Sequence, residues 1–158
     1  MFYRKFKFFI NKKKSIDYLH QLIDVEKISE VSSQLATYPS IRKILLKEQR
    51  LLRSWPGLVA EGRDMGTVVF PNAILKFFLN ASLEIRTKRR MSQLHKYNYH
   101  VSFEKLLIKM KNRDERDQNR LISPLCVPKN AIILDSTHMS ISEITKTVME
   151  YIIEKIKI

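Results

Sequence analysis

The sequence is poor in the residues that staple small proteins or mark a special environment. Its one cysteine, Cys126, excludes an internal disulfide, and its four histidines stand at unrelated spacings, so no zinc pattern is recognisable. A reducing, cytoplasmic setting fits that cysteine usage. Only three glycines occur in 158 residues, which leaves little material for glycine-rich loops. No apolar run approaches the roughly 18 residues of a membrane-spanning helix. The opening Met1-Phe2-Tyr3-Arg4-Lys5-Phe6-Lys7 interrupts its aromatics with charge, so neither a membrane partner nor an export signal is expected. Acidic residues are also scarce, 16 against 29 Lys and Arg, for a formal net charge of +13. Such a surface attracts phosphates, nucleic acid or anionic lipid without choosing among them.

What is present describes an ordinary folded domain. With 44% hydrophobic and 28% charged residues, disorder is a poor explanation, and the length suits one domain with a real core. Much of the surplus charge is lysine, as in Lys12-Lys13-Lys14, and runs of this kind read as a solvated face. Arginines set within motifs are better evidence of a ligand.

Along the chain, Phe6-Lys7-Phe8 alternates ahead of a basic turn at 11–14, which suggests a short hairpin up to about residue 23; a basic aromatic arm for nucleic acid or membrane is the competing reading. Ile28, Val31 and Leu35 recur at helical spacing until Pro39, which can open a second amphipathic helix carrying Ile41, Ile44, Leu45 and Leu52. Pro56-Gly57 stops it. Leu58-Val59-Ala60 reads as a short buried strand, and Ile74 to Leu79 as another. Ser82 is an N-cap candidate for a basic helix, and Ser102 precedes a helix over about 103–118. A strand over Ala131 to Asp135 and a capping box, Ser140-Ile141-Ser142-Glu143, lead into a last helix with Ile144, Val148, Ile152 and Ile156 on one face. Strands alternating with helices imply a parallel α/β sheet covered on both faces.

Two segments carry chemistry. Gly62-Arg63-Asp64-Met65-Gly66-Thr67-Val68-Val69-Phe70-Pro71 presents a cation and a carboxylate side by side after a glycine: a guanidinium fork suits a phosphate, a carboxylate suits an amino donor. An internal Arg–Asp pair holding the turn is the structural alternative. Arg113-Asp114-Glu115-Arg116-Asp117-Gln118-Asn119-Arg120 repeats the theme on a helix, where Arg113, Asp117 and Arg120 share a face with Arg116 near its edge. Taken alone, such a run is usually a solvated face of helical ion pairs.

The order of these segments resembles the bacterial cytidylate kinase family. Ser33-Gln34, Pro39-Ser40-Ile41-Arg42, the Gly62 to Pro71 string, Lys76-Phe77-Phe78-Leu79, Arg86 to Arg90, Arg113 to Arg120 and Ile132-Ile133-Leu134-Asp135-Ser136-Thr137 follow one another as the family's motifs do, from about Tyr18 onward. The resemblance implies a three-layer P-loop nucleoside monophosphate kinase fold, a parallel sheet flanked by helices, and phosphoryl transfer from ATP with Mg²⁺ to CMP or dCMP. It implies that Ser33, Arg42 and Asp64 read the cytosine edge, that Arg63 and Arg120 hold the phosphate, and that Arg113 and Asp117 contact the sugar. Catalytic cations would be Arg86, Arg89, Arg90, Arg113 and Arg120, with residues about 86–101 forming a lid.

The sequence also departs from the family's pattern. A kinase of this type begins with a strand and a Gly-rich loop ending in Gly-Lys-Gly-Thr, whose N–H groups and Lys cradle ATP phosphates. Gly57 and Gly62 have G-x-x-x-x-G spacing, but Arg63-Asp64 follow where Lys and Ser/Thr belong. The early D-S-G-x-x-Y-R motif is absent, and Ile23-Asp24-Val25 stands where the family has I-R-T. The expectation is therefore the C-terminal two-thirds of such a kinase: residues 1–23 a remnant of the CMP-side insert, and 24–158 the core without its first strand and P-loop. A separate N-terminal kinase fragment is the expected partner, and exposed sheet edges and poor solubility of the chain alone follow. A CMP-binding module without catalysis is the alternative; a basic nucleic-acid-binding protein is the least favoured.

Overall fold

The computed structural model describes residues 25–156; the expected hairpin or arm at 1–23 and the CMP-side remnant lie outside them. Helix α1 (Val25–Leu35) and helix α2 (Pro39–Leu51) come first. Pro39 sits in the first turn of α2, where its missing N–H costs no hydrogen bond. Strand β1 (Phe77–Asn80), helices α3 (Leu83–His95) and α4 (Phe103–Asn119), strand β2 (Ile132–Asp135) and helix α5 (Ile141–Ile156) complete the order. The two strands pair in parallel, Phe77 opposite Ile132 through Asn80 opposite Asp135, with α3 and α4 in the crossover between them. The parallel pairing and the α/β alternation agree with the sequence; the sheet has two strands among the described residues.

Local signals placed the helix starts. Ser82 Oγ accepts from Ile85 N at 3.3 Å and Ser102 Oγ from Lys105 N at 3.3 Å, each satisfying an otherwise unpaired first-turn donor. The capping box at α5 is reciprocal: Ser140 N donates to Glu143 Oε2 at 2.7 Å while Glu143 N donates to Ser140 Oγ at 3.2 Å.

The expected strand at 58–60 is a correction. Residues 58–60 form no ladder, and Val59 is 99% exposed. A strand is stable only when its N–H and C=O groups find a neighbour, and none lies beside this segment among the described residues. Beyond it, Met65–Val69 closes as a short π-helical turn. Arg50 of α2 braces that turn, Nε donating to Val69 O at 3.1 Å and Nη2 to Val68 O at 3.0 Å. Gly66 is required there: a Cβ would stand 2.8 Å from the Pro128 ring. At Gly62 a Cβ would meet only the flexible Met65 side chain.

Among the described residues the apolar core is small: Val69, Ala81, Leu94, Leu106 and Leu134, and α3 packs on α4. The stripe expected to bury α1 does not do so, since Ile28, Val31 and Leu35 are exposed; Ile44 and Leu45 of α2 and Leu52 just past its end are exposed too. Both helices are amphipathic, and among the described residues most of their apolar side chains stay exposed, Ile41 and Leu46 being half-buried.

Candidate functional site

Among the described residues buried polar groups match the apolar core in number: Ser33, Asp64, Thr87, Asp117 and Ser136 against five hydrophobic residues. Burying a polar group is unfavourable unless it is paired, so what pairs these groups defines the site. On α4, Asp114 and Asp117 are three residues apart and Arg113 and Asp117 four apart, which puts them along one side of the helix. That side faces the end of α1, the Gly62–Asp64 turn and the start of α3.

Asp117 is the hub, 1% exposed. Its Oδ1 accepts from Ser33 Oγ at 2.9 Å and from Arg120 Nη1 at 3.5 Å. Its Oδ2 is met by Arg63 Nε at 2.8 Å and Arg113 Nε at 3.8 Å. These are ion contacts; this buried oxygen receives no well-directed hydrogen bond. Arg120 lies just past the end of α4, held by its Nε donating to Ser123 O at 2.6 Å. Arg116 reaches Ser33 Oγ from the helix edge, at 3.5 Å.

Asp114 makes a second junction. Its Oδ1 accepts from Arg63 Nη2 at 2.9 Å and its Oδ2 from Arg86 Nη1 at 2.5 Å. Arg86 is fixed from the other side by Nε donating to Ala81 O at 3.0 Å. Around these two carboxylates stand four guanidinium groups, of Arg63, Arg86, Arg113 and Arg120. Arg42 of α2 pairs through Nη2 with Asp64 Oδ2, a separate and internally neutral pair one residue after Arg63.

The structure thus gathers Ser33, Arg63, Arg86, Arg113, Asp117 and Arg120 into one cluster and sets Arg42 and Asp64 beside it in sequence as their own pair. It places the other two basic-helix residues elsewhere. Arg89 donates to Ser136 Oγ at 2.9 Å, to Ser136 O at 2.5 Å and to Met139 O at 3.1 Å, tying α3 to the loop after β2. Arg90 reaches Gln93 Oε1 at 3.4 Å. Beside that loop, Thr137 donates to Asp135 through its hydroxyl and its N–H, which holds the Asp135 carboxyl below the usual aspartate range. Sequence reasoning missed Asp114 as a site residue, because a carboxylate inside a run of alternating charges looks like half of a solvated helical pair. Its spacing of three from Asp117 is the signal that marks it. Arg50 was missed too, since nothing local shows that its partners are carbonyls at positions 68 and 69.

The donor set does not fit a metal ion held by the protein. Asp64, Asp114 and Asp117 each carry at least one arginine, and no group of three or more His, Cys, Asp or Glu among the described residues could hold one. Among the described residues no helix is long and apolar enough to cross a membrane.

Comparison with known proteins bears on this arrangement. The family model described as cytidylate kinase matches residues 1–154. The chain is 49% identical over 129 residues to the cytidylate kinase of Proteus mirabilis (strain HI4320), covering 82% of this chain and 57% of that protein. It is 46% identical over 134 residues to the cytidylate kinases of Shigella boydii serotype 4 (strain Sb227) and Salmonella arizonae, covering 85% of this chain and 59% of each. It therefore spans somewhat under three-fifths of the length of these curated relatives. With a family match over nearly its whole length, and with the arginines and aspartates of the matched motifs drawn together around Asp117, the chain belongs to the cytidylate kinase family.

Proposed function

We propose that this chain is the acceptor-binding part of a cytidylate kinase, holding CMP or dCMP for phosphoryl transfer from ATP in the cytoplasm. The observation that carries the reading is the cluster around Asp114 and Asp117, which draws the guanidinium groups of Arg63, Arg86, Arg113 and Arg120 together, the donors that suit a phosphate monoester. Arg63 and Arg120 hold that phosphate as guanidinium forks. Asp117, whose Oδ2 lacks a directed hydrogen bond, accepts from a sugar hydroxyl, with Arg113 beside it. Ser33 and the Arg42–Asp64 pair take the cytosine edge, Asp64 accepting from the exocyclic amine. Arg86, Arg89 and Arg90 belong to a lid over about 86–101 that adds positive charge where the phosphoryl group moves, the kind of stabilisation this reaction depends on.

No step is assigned to a protein-bound Mg²⁺, since the carboxylates of the site are committed to arginines. Nor do these 158 residues contain a Gly-Lys-Gly-Thr loop, so transfer requires a phosphate cradle supplied by another segment of the same protein or by a separate chain. That same lack favours a second reading, a CMP-binding protein without catalysis. The test is ADP release from ATP and Mg²⁺ on adding CMP, with the chain alone and then with a segment carrying the family's phosphate loop. Release only in the mixture supports the kinase reading. Saturable CMP binding without release, in the presence of a bound complement, supports the second; absence of CMP binding in either form rejects both.

A further inference from the structure

We infer that Asp114 is a positioning residue that joins Arg63 and Arg86 into one two-arginine clamp for a phosphate group. The inference deepens the acceptor reading and rests on it for the identity of the ligand. Arg63 comes from the turn after residues 58–60 and Arg86 from the first turns of α3. Nothing local relates the two. They meet on opposite oxygens of one carboxylate, at 2.9 Å and 2.5 Å. Each guanidinium has a second anchor, Asp117 Oδ2 for Arg63 Nε and the Ala81 carbonyl for Arg86 Nε.

That leaves the remaining terminal nitrogen of each, Nη1 of Arg63 and Nη2 of Arg86, with no protein acceptor among the described residues. Arg86, hydrogen-bonded at two of its three nitrogens, is fixed in plane and direction, and Arg63 is held by one hydrogen bond to Asp114 and an ion contact to Asp117, so the remaining donors are set before a ligand arrives. Asp114 is itself placed by helix α4 and is largely buried, so it can hold this geometry. Its carboxylate cancels only part of the local positive charge. If Asp114 merely neutralised the cluster, removing its charge would tighten anion binding. If it positions the arginines, removing it loosens binding despite the gain in positive charge. The two roles thus predict opposite signs.

The experiment uses the full 158-residue chain and three probes, CMP, cytidine and inorganic phosphate, with affinities measured by calorimetry for wild type, Asp114→Asn, Arg86→Lys and the double variant. Asp114→Asn is expected to weaken CMP and phosphate by roughly tenfold, as the loss of charge-assisted contacts implies, and to leave cytidine unchanged. Arg86→Lys keeps the charge but not the fork and should give the same selective loss. In the double variant the second change should add little, because both act through one junction. Should Asp114→Asn fail to fold, Asp114→Glu, which keeps the charge and moves the carboxylate, takes its place: selective weakening of CMP and phosphate supports positioning, and unchanged affinity overturns it. Equal weakening of CMP and cytidine, tighter phosphate binding, or fully additive losses would each overturn the clamp. A wild type that binds phosphate but not cytidine rejects base recognition while the phosphate arm still tests the clamp; a wild type that binds no phosphate overturns the clamp itself.

Discussion

Asp117 carries more of the site than any other side chain, because one carboxylate answers Ser33 and three arginines in a place that water does not reach. Removing one partner of a buried ionic group leaves the others charged and uncompensated. Asp117→Ala is therefore expected to destabilise the chain by about 3–5 kcal/mol in urea unfolding, and added phosphate should recover part of that loss. A change below about 1 kcal/mol would mean that solvent screens these arginines once the carboxylate is gone. Asp64 makes a different prediction. Its side chain pairs with Arg42 among the described residues, and the base-reading role proposed above predicts that Asp64→Ala weakens CMP by about tenfold or more and leaves ATP unaffected. Equal losses for both nucleotides would remove its base-reading role. Both residues were legible in the sequence as members of motifs. Their pairings were not, because Ser33 and Asp117 lie 84 residues apart and no spacing rule reaches so far.

The helix starts were legible, since a cap is a contact over three residues. Ser82, Ser102 and Ser140 each behave as read. The strand at 58–60 was not, since its apolar residues describe a preference and a ladder needs a neighbour. The α5 capping box gives a pH-dependent prediction. Its hydrogen bonds from Ser140 hold the Glu143 carboxyl below the usual glutamate range, so as pH falls the unfolded chain takes up this proton before the folded one does. The cap's contribution is present above the ordinary glutamate range and fades as pH falls through the depressed folded value. The Ser140 amide resonance should titrate with a midpoint below that of a free glutamate; a midpoint within the ordinary range would show that the box is open in solution. Helices α3 and α4 pack on each other, and each buries one leucine, Leu94 and Leu106. Leu106→Ala should cost about 2–5 kcal/mol by thermal or urea unfolding, and a smaller loss would mean that the helix pair closes over the cavity.

At the scale of the whole molecule, apolar surface is the outstanding property. Trp55 is 80% exposed and Leu121 is 100% exposed, and Leu79 and Ile133 on the sheet are exposed as well. Patches of this kind mark interaction sites or aggregation, and open strand edges add to the hazard. The chain alone is expected to self-associate with rising concentration, by light scattering, and a segment carrying the family's phosphate loop should suppress that. A concentration-independent monomer, with no binding of a hydrophobic dye, would show that these surfaces are covered by residues of the chain itself. Family membership could be read from motif order, whereas the small core could not, because periodicity marks which face of a helix is apolar and not whether anything lies against it.

The sheet's connectivity sets a schedule for synthesis. Strand β1 ends at Asn80 and its parallel partner begins at Ile132, so β1 waits on the ribosome for the whole of α3 and α4 to be made. At about 5–20 residues per second that interval lasts several seconds. The α3–α4 hairpin can close within it, since helix pairs joined by a short turn form quickly. The apolar residues of β1 meanwhile have no ladder, which makes the nascent chain, more than the finished one, the form a chaperone would engage.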